Sequence, residues 1–189
     1  EVAADADLFV DLKYHDIPNT VASAARVLTR QGVDMFNVHA TGGFEMIKAT
    51  REAIEDEASK KGIKRPILLA VTVLTSLDKK DLDMLKISAS NTQEYVLHLA
   101  KMAKKAGADG VVCSPKEIGI IKKELGEDFI TLSPGIRPKW AQAGDQKRIM
   151  TPKQAVLEGG DYIVIGRPIR NAENRKEAAD KILEEMNEI

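Results

Sequence analysis

Ala106-Gly107-Ala108-Asp109-Gly110-Val111-Val112-Cys113-Ser114 is the stretch on which the reading of the fold turns. It follows a helical pattern, so Gly107 stands where a helix ends in the left-handed region. An aspartate comes two residues later. Gly110 to Cys113 then form a short apolar run, as expected of a parallel strand covered on both faces. A hydroxyl, Ser114, closes the run. The same order recurs twice: Gln31-Gly32-Val33-Asp34 leads into Met35-Phe36-Asn37-Val38, and Gly159-Gly160-Asp161 leads into Tyr162-Ile163-Val164-Ile165. A unit of helix, glycine, aspartate and strand that repeats in this way is a βα repeat.

Outward from these three units, apolar runs predict further strands over residues 8–12, 67–73 and 129–132. Val21, Ala24, Ala25 and Leu28 make one helical stripe, and Tyr95, Val96, Leu99 and Met102 make another. Helices are also predicted over 43–61, 115–125, 151–158 and 174–187, with Thr151 as N-cap before Pro152 at the first helical position. The sum is six βα units with no linker or low-complexity stretch between them, so residues 1–189 read as a single domain. Six strands suit an open doubly wound sheet, whereas a (β/α)8 TIM barrel has eight. The polar residues decide between them. They gather where strands end: Asp11 to Asp16, His39, Thr75-Ser76, Ser114, Ser133 to Arg137, and Gly166-Arg167. Barrel active sites are built at that end from several strands, so the α/β fold expected is the barrel.

Composition narrows the function. The chain has 189 residues, 43% of them hydrophobic, which suffices for one sizeable core. A net charge of −1 gives no global reason to expect nucleic acid or an anionic membrane as partner. Aromatic residues, at 4%, are too sparse for a stacking platform that binds single strands. No apolar run nears the ~20 residues of a membrane helix, and no signal peptide is visible. The single cysteine, Cys113, excludes an internal disulfide within the chain and fits a reducing cytoplasm. The sequence opens at Glu1 without a methionine, and a strand pattern begins almost at once at Leu8. That predicts a natural beginning absent from this chain.

Asp11, Lys13 and Asp16 are the centre of the expected chemistry. Residues 11 and 13 point to one face if the strand alternates regularly. Two carboxylates around one ammonium would hold it in place as a proton donor, which is what quenching a carbanion requires. The plainer reading is an exposed, salt-bridged strand end. Ile165-Gly166-Arg167, with a helix soon after, reads as a phosphate site: glycine admits the backbone and arginine offers a planar fork. Pro134-Gly135-Ile136-Arg137 supports it from the neighbouring unit, though Gly-Arg after a strand is often only a turn. Residues 138–147, with Gly144, Asp145 and Gln146, have the length and polarity of a lid, or of a solvated loop. Trp140 in that segment reads as a packing residue on the hinge side. His15 and His39 could join Asp11 as metal ligands, but no carboxylate-rich shell completes a site, so no metal is expected. Cys113 reads as a buried, inert thiol, and His98 as structural. The charged stretch 79–86 reads as a solvated helical turn. Thr75 and Ser76 either hydrogen-bond a polar ring or cap the next helix.

Asp11-Leu12-Lys13-Tyr14-His15-Asp16-Ile17-Pro18-Asn19-Thr20 resembles the signature of the orotidine 5′-monophosphate decarboxylases. A bare Asp-x-Lys-x-x-Asp belongs to a wider suprafamily, and the Ile-Pro-Asn-Thr continuation makes the match specific. Further matches follow in the family's order: Asn37 to Ala40, Ala70 to Ser76, Asp109 to Ser114, Pro134 to Arg137, Gly144 to Arg148, and Ile165 to Arg167. The resemblance spans Leu8 to the last helix and favours the bacterial type. It implies cofactor-independent conversion of orotidine 5′-monophosphate to uridine 5′-monophosphate in pyrimidine synthesis, with no metal. Lys13 would protonate C6 of the pyrimidine, and Asp11 would position it. In the implied homodimer with shared active sites, Asp16 and Thr20 would reach the partner's substrate. Thr75 would bind the ring, and Arg137, Gln146, Gly166 and Arg167 the phosphate.

The family also carries an aspartate on its first strand and a lysine on its second, and nothing before Leu8 supplies them. The resemblance therefore implies a (β/α)8 TIM barrel lacking its first two βα units, with the third to eighth present. The alternatives are a magnesium-dependent 3-keto-gulonate 6-phosphate decarboxylase or hexulose-phosphate synthase, and an inert barrel fragment that binds a phosphate ligand. The Ile-Pro-Asn-Thr continuation speaks against the magnesium enzymes.

Overall fold

A computed structural model of the chain describes residues 6–141 and 150–188. In chain order its elements begin β1 (Phe9–Tyr14), α1 (Pro18–Arg30), β2 (Met35–His39), α2 (Phe44–Lys61), β3 (Ile67–Val71), α3 (Lys79–Met84) and α4 (Thr92–Lys105). They continue with β4 (Gly110–Val112), α5 (Ile118–Leu125), β5 (Ile130–Ser133), α6 (Pro152–Leu157), β6 (Tyr162–Ile163), α7 (Arg167–Arg170) and α8 (Arg175–Asn187). The chain divides into two compact units, Glu1–Thr72 with His98–Val111, and Val73–Leu97 with Val112–Ile189.

In the first unit the strand order is β1-β2-β3-β4, with β1 parallel to β2 and β2 parallel to β3. In the second it is β4-β5-β6, with β5 parallel to β6; β4 contributes residues to both units. All six expected strands form, each followed by a helix, so the fold is α/β with strands ordered as in the chain. The strands of the first unit bury Phe36, Val38, Leu68, Leu69 and Ala70 completely. That burial on both faces explains their near-continuous apolar sequence. Two helical stripes sit slightly off their expected centres. On α1 the buried residues are Val21, Ala22, Ala25 and Thr29, because α1 packs along α2. On α4 they are Val96, Leu99, Ala100 and Ala103. The stretch 79–86 is more than a solvated turn: Asp78 caps α3 in a reciprocal box with Asp81, and Leu82 is buried. Thr151 caps α6 as expected, paired with Gln154.

The recurring glycines and aspartates each have a job. Gly32, Gly107 and Gly159 all end helices at positive φ, +71°, +97° and +85°, backbone that other residues adopt only with strain. Each aspartate then bonds the start of the strand next to its own. Asp34 before β2 accepts the Leu8 N–H before β1 at 2.9 Å. Asp109 before β4 accepts the Leu68 N–H of β3 at 2.9 Å, and Asp161 before β6 accepts the Thr131 N–H of β5 at 2.7 Å. One device thus sets three registers.

Cations brace the two later aspartates. Asp109 receives Arg51 at 3.0 Å and Arg65 at 2.8 Å. Asp161 receives the buried Lys122 at 2.7 Å. Burial pushes the Asp109 carboxyl up, but hydrogen bonds from Arg65 and the Leu68 N–H, with the charge of Arg51, outweigh it and leave it below its ordinary range.

Asp109→Ala takes the acceptor from the Leu68 N–H and from both guanidinium groups, and should cost about 2–3 kcal/mol, read from the urea midpoint. A carboxyl held low stabilises the fold above its unfolded value of 3.8, and that contribution is lost as pH falls further. Asp109→Asn should therefore flatten the acid limb of the stability curve. An unmoved midpoint in both variants would show that Asp109 does not lock this register.

Candidate active site

The site expected in the first unit lies at the end of β1, and β1 is not the regular strand assumed. Phe9 pairs with Met35 and Val10 with Phe36, but the next pair is Tyr14 with Val38. β1 therefore carries two more residues than β2 over this interval, and Asp11, Leu12 and Lys13 bulge out. Lys13 has φ +52°, one of two such non-glycine residues among those described. Asp11 and Lys13 do meet, but through the bulge rather than through alternation. Bulges re-aim side chains in this way beside active sites.

The bulge closes on one buried side chain. Asn37 of β2 is wholly inaccessible to solvent. Its Oδ1 accepts the Lys13 backbone N–H at 2.8 Å, and its Nδ2 donates to Asp11 Oδ1 at 2.6 Å. Lys13 Nζ donates to the same Asp11 oxygen at 2.7 Å. Beside this group Tyr14 meets Phe36 edge-on, ring centroids 6.4 Å apart. His15 lies against His39 at 5.3 Å. Burial first, then the neighbouring His15 and Lys13, hold His39 below its ordinary range. The expected second carboxylate around Lys13 is absent from this arrangement. Asp16, two residues before α1, is exposed, and its Oδ1 accepts the Ile17 N–H at 2.7 Å. Thr20 is exposed on the first turn of α1. Asp11 with the two histidines forms no ligand set: among the described residues no three His, Cys, Asp or Glu groups gather to hold a metal.

The second unit holds the residues expected at the ring and the phosphate. Thr75 is half-buried in the turn after β3. Arg137 is buried, its Nη1 donating to the Ile136 carbonyl at 2.8 Å and its N–H to Met150 at 2.9 Å. Gly166 and Arg167 are exposed where α7 begins, and a Cβ on Gly166 would meet nothing within 4 Å. The backbone there is open to an approaching ligand. Gln146 and the rest of the lid segment from 142 on lie outside the described residues. Trp140, before them, is exposed on a turn closed by the Ala141 N–H on Pro138, and does not pack as expected. Ser114 is turned inward as a cap: its N–H donates to Glu117 at 2.8 Å and its hydroxyl accepts from Lys116. Cys113 is buried, and loss of hydration with nearby Glu117 pushes its thiol up to about 12, far from a nucleophile.

A model of the family described as orotidine 5′-phosphate decarboxylase / HUMPS matches residues 2–182. The chain belongs to the orotidine 5′-phosphate decarboxylase / HUMPS family. Curated relatives named orotidine 5′-phosphate decarboxylase include one from Nostoc sp., 49% identical over 96% of this chain and 76% of its own. Another, from Pseudoalteromonas translucida, is 55% identical over 89% of this chain and 70% of its own. The crystal structure of orotidine 5′-phosphate decarboxylase from Lactobacillus acidophilus is 42% identical, with a TM-score of 0.81 over 96% of this chain and 75% of that one. An uncharacterized conserved protein from Geobacillus kaustophilus superposes with the same score at 38% identity.

Within this member of the orotidine 5′-phosphate decarboxylase / HUMPS family, sequence reasoning quoted Asn37 without giving it a role. The signal was available: an amide inside Met35-Phe36-Asn37-Val38 had to be buried, and buried amides find partners. We expect an NMR titration of the His39 ring to give a midpoint below the ordinary 6.5, moving up when Lys13 is replaced by alanine. The neutral ring is favoured by the fold, so protonating it at acid pH should weaken stability. A midpoint above 6.5 would contradict the burial described.

Proposed function

We propose that the chain is a carboxy-lyase that converts orotidine 5′-monophosphate to uridine 5′-monophosphate in pyrimidine synthesis. The observation that carries the proposal is the Lys13 ammonium held by Asp11 at 2.7 Å on the strained end of β1. Family membership, with relatives of that printed name, supports the substrate. When the C6–carboxylate bond breaks, carbon dioxide leaves and its electron pair stays on C6. The Lys13 ammonium gives its proton to that carbon, forming the C–H bond of the product, and the amine regains a proton from water. A charge fixed before the reaction needs no reorganisation as the carbanion grows.

Asp11 positions Lys13 in this reading. Asp16, with Thr20 one helical turn on, serves the partner subunit's substrate in a homodimer with shared sites. There Asp16 faces the departing carboxylate, whose loss removes a like charge. Thr75 binds the pyrimidine, while Arg137, Gln146, Gly166 and Arg167 hold the phosphate. Binding energy from that remote group can align the ring and close the segment around Gln146. The exposure of Asp16 and Thr20 and the open backbone at Gly166 are compatible with these roles. The reading includes a (β/α)8 barrel of which this chain holds the third to eighth units as a single domain, a cytoplasmic setting, and no cofactor.

In the full-length protein Lys13→Ala should lower kcat by more than about a hundredfold, in line with lost general-acid catalysis. Its affinity for uridine 5′-monophosphate should hold within a few-fold. Arg167→Ala should show the opposite emphasis and raise KM by at least about tenfold, the size of one lost charged contact. A Lys13→Ala enzyme with a tenth of normal turnover would remove Lys13 as the proton donor.

Shared sites are tested by mixing. Full-length Lys13→Ala and Asp16→Ala proteins, each nearly inactive, are unfolded together and refolded. Half the dimers are then mixed, each with one intact site, so activity should return to about a quarter of wild type by two-fold symmetry. If subunit exchange is confirmed and activity stays at the parental level, Asp16 works within its own chain.

A further inference from the structure

We propose that Asn37 is the positioning residue that fixes the proton donor: it holds the backbone of Lys13 and the carboxylate of Asp11 in one geometry. The inference deepens the decarboxylase reading and rests on it for the role of Lys13. In a regular parallel ladder the N–H of residue 13 would pair with a β2 carbonyl. The bulge removes that partner, and Asn37 Oδ1 replaces it at 2.8 Å. The other end of the same amide donates to the Asp11 oxygen that also receives Lys13 Nζ. The orientation of the amide follows from its partners, since only the oxygen can accept an N–H and only the nitrogen can serve a carboxylate.

Asparagine suits this position for definite reasons. The side chain is inaccessible to solvent, so water cannot substitute for it. A leucine there would leave the Lys13 N–H without an acceptor. A carboxylate would satisfy the N–H but oppose the charge of Asp11. Asn37 also explains how Lys13 keeps φ +52°, a conformation that persists only where its surroundings over-determine it. Asp11 and Lys13 are both more than a third exposed, and the amide beneath them is the buried member of the group.

The test uses the full-length protein with orotidine 5′-monophosphate. Asn37→Ala should lower kcat about a hundredfold, the cost of misplacing a catalytic group by about 1 Å, and change KM by less than about threefold. Asn37→Asp separates positioning from packing. When protonated, the introduced carboxyl can accept from Lys13 and donate to Asp11 as the amide does. When ionised, it faces Asp11 and Lys13 from across the bulge, with His39 two residues along β2, and repels Asp11. Its kcat relative to the parent should therefore fall as pH rises, while the ratio for Asn37→Ala stays flat. Hydrogen exchange supplies a readout free of catalysis: the Lys13 amide should be protected in the parent and exchange rapidly in Asn37→Ala. If Asn37→Ala does not fold, the pH profile of Asn37→Asp, which keeps the shape, decides alone. The assignment is overturned by Asn37→Ala turnover within about threefold of the parent, by a flat profile for Asn37→Asp, or by a Lys13 amide still protected in Asn37→Ala. A parent protein that releases no carbon dioxide sinks the decarboxylase reading instead, and the exchange measurement still decides the role of Asn37.

Discussion

Three aspartates, each accepting the first N–H groups of a neighbouring strand, are the constraint from which the rest follows. Asp34, Asp109 and Asp161 sit just before β2, β4 and β6 and bond the starts of β1, β3 and β5. In a parallel sheet a slip by one residue turns every side chain to the wrong face. Locking the strands at their beginnings also fixes where they end, and the candidate site residues stand at those ends. The arginines on Asp109 and the buried Lys122 on Asp161 are therefore far more than surface charge pairs. They hold each carboxylate aimed at its strand, so that a polar anchor can sit beneath an apolar sheet. Taking one partner from such a group is costly because the other remains buried and unpaired.

Most of this frame was legible in the sequence, because glycine and aspartate mark a local requirement wherever they stand. Gly32, Gly107 and Gly159 were expected to end helices in the left-handed region, and all three do. The strands were found from continuous apolar runs, which follow directly from burial on two faces. The stripe on α1 was misplaced by about one position, since a pattern of alanines does not tell which side meets α2. The purpose of the aspartates was also missed. Their partners are N–H groups 26 to 41 residues earlier in the chain, and no local pattern records such a pairing.

In the candidate site, the contact between Asp11 and Lys13 was legible in the sequence and the geometry that makes it was not. Asp11 and Lys13 were found because two charges in an apolar strand call for a reason. Regular alternation gave the right contact for the wrong cause, since the chain brings them together by a bulge. A bulge depends on the partner strand, so β1 alone could not reveal it. Ser114 illustrates the opposite error: a hydroxyl at a strand end looked like part of a functional ring, yet it caps the short turn that follows. The same residue type serves both purposes, and only the direction of its side chain distinguishes them.

The left-handed backbone at Lys13 has a consequence for how such a chain drifts over generations. Glycine, and to a lesser extent asparagine, would occupy that conformation with less strain, by about 1 kcal/mol. Mutation filtered only for folding would therefore lead away from lysine at this position. With the proton-donor role proposed above, a lysine at this position answers to a second filter, applied to what its ammonium does and not to how well it fits. Variants selected in the laboratory for heat resistance alone would be expected to discard it, and to gain robustness while falling silent.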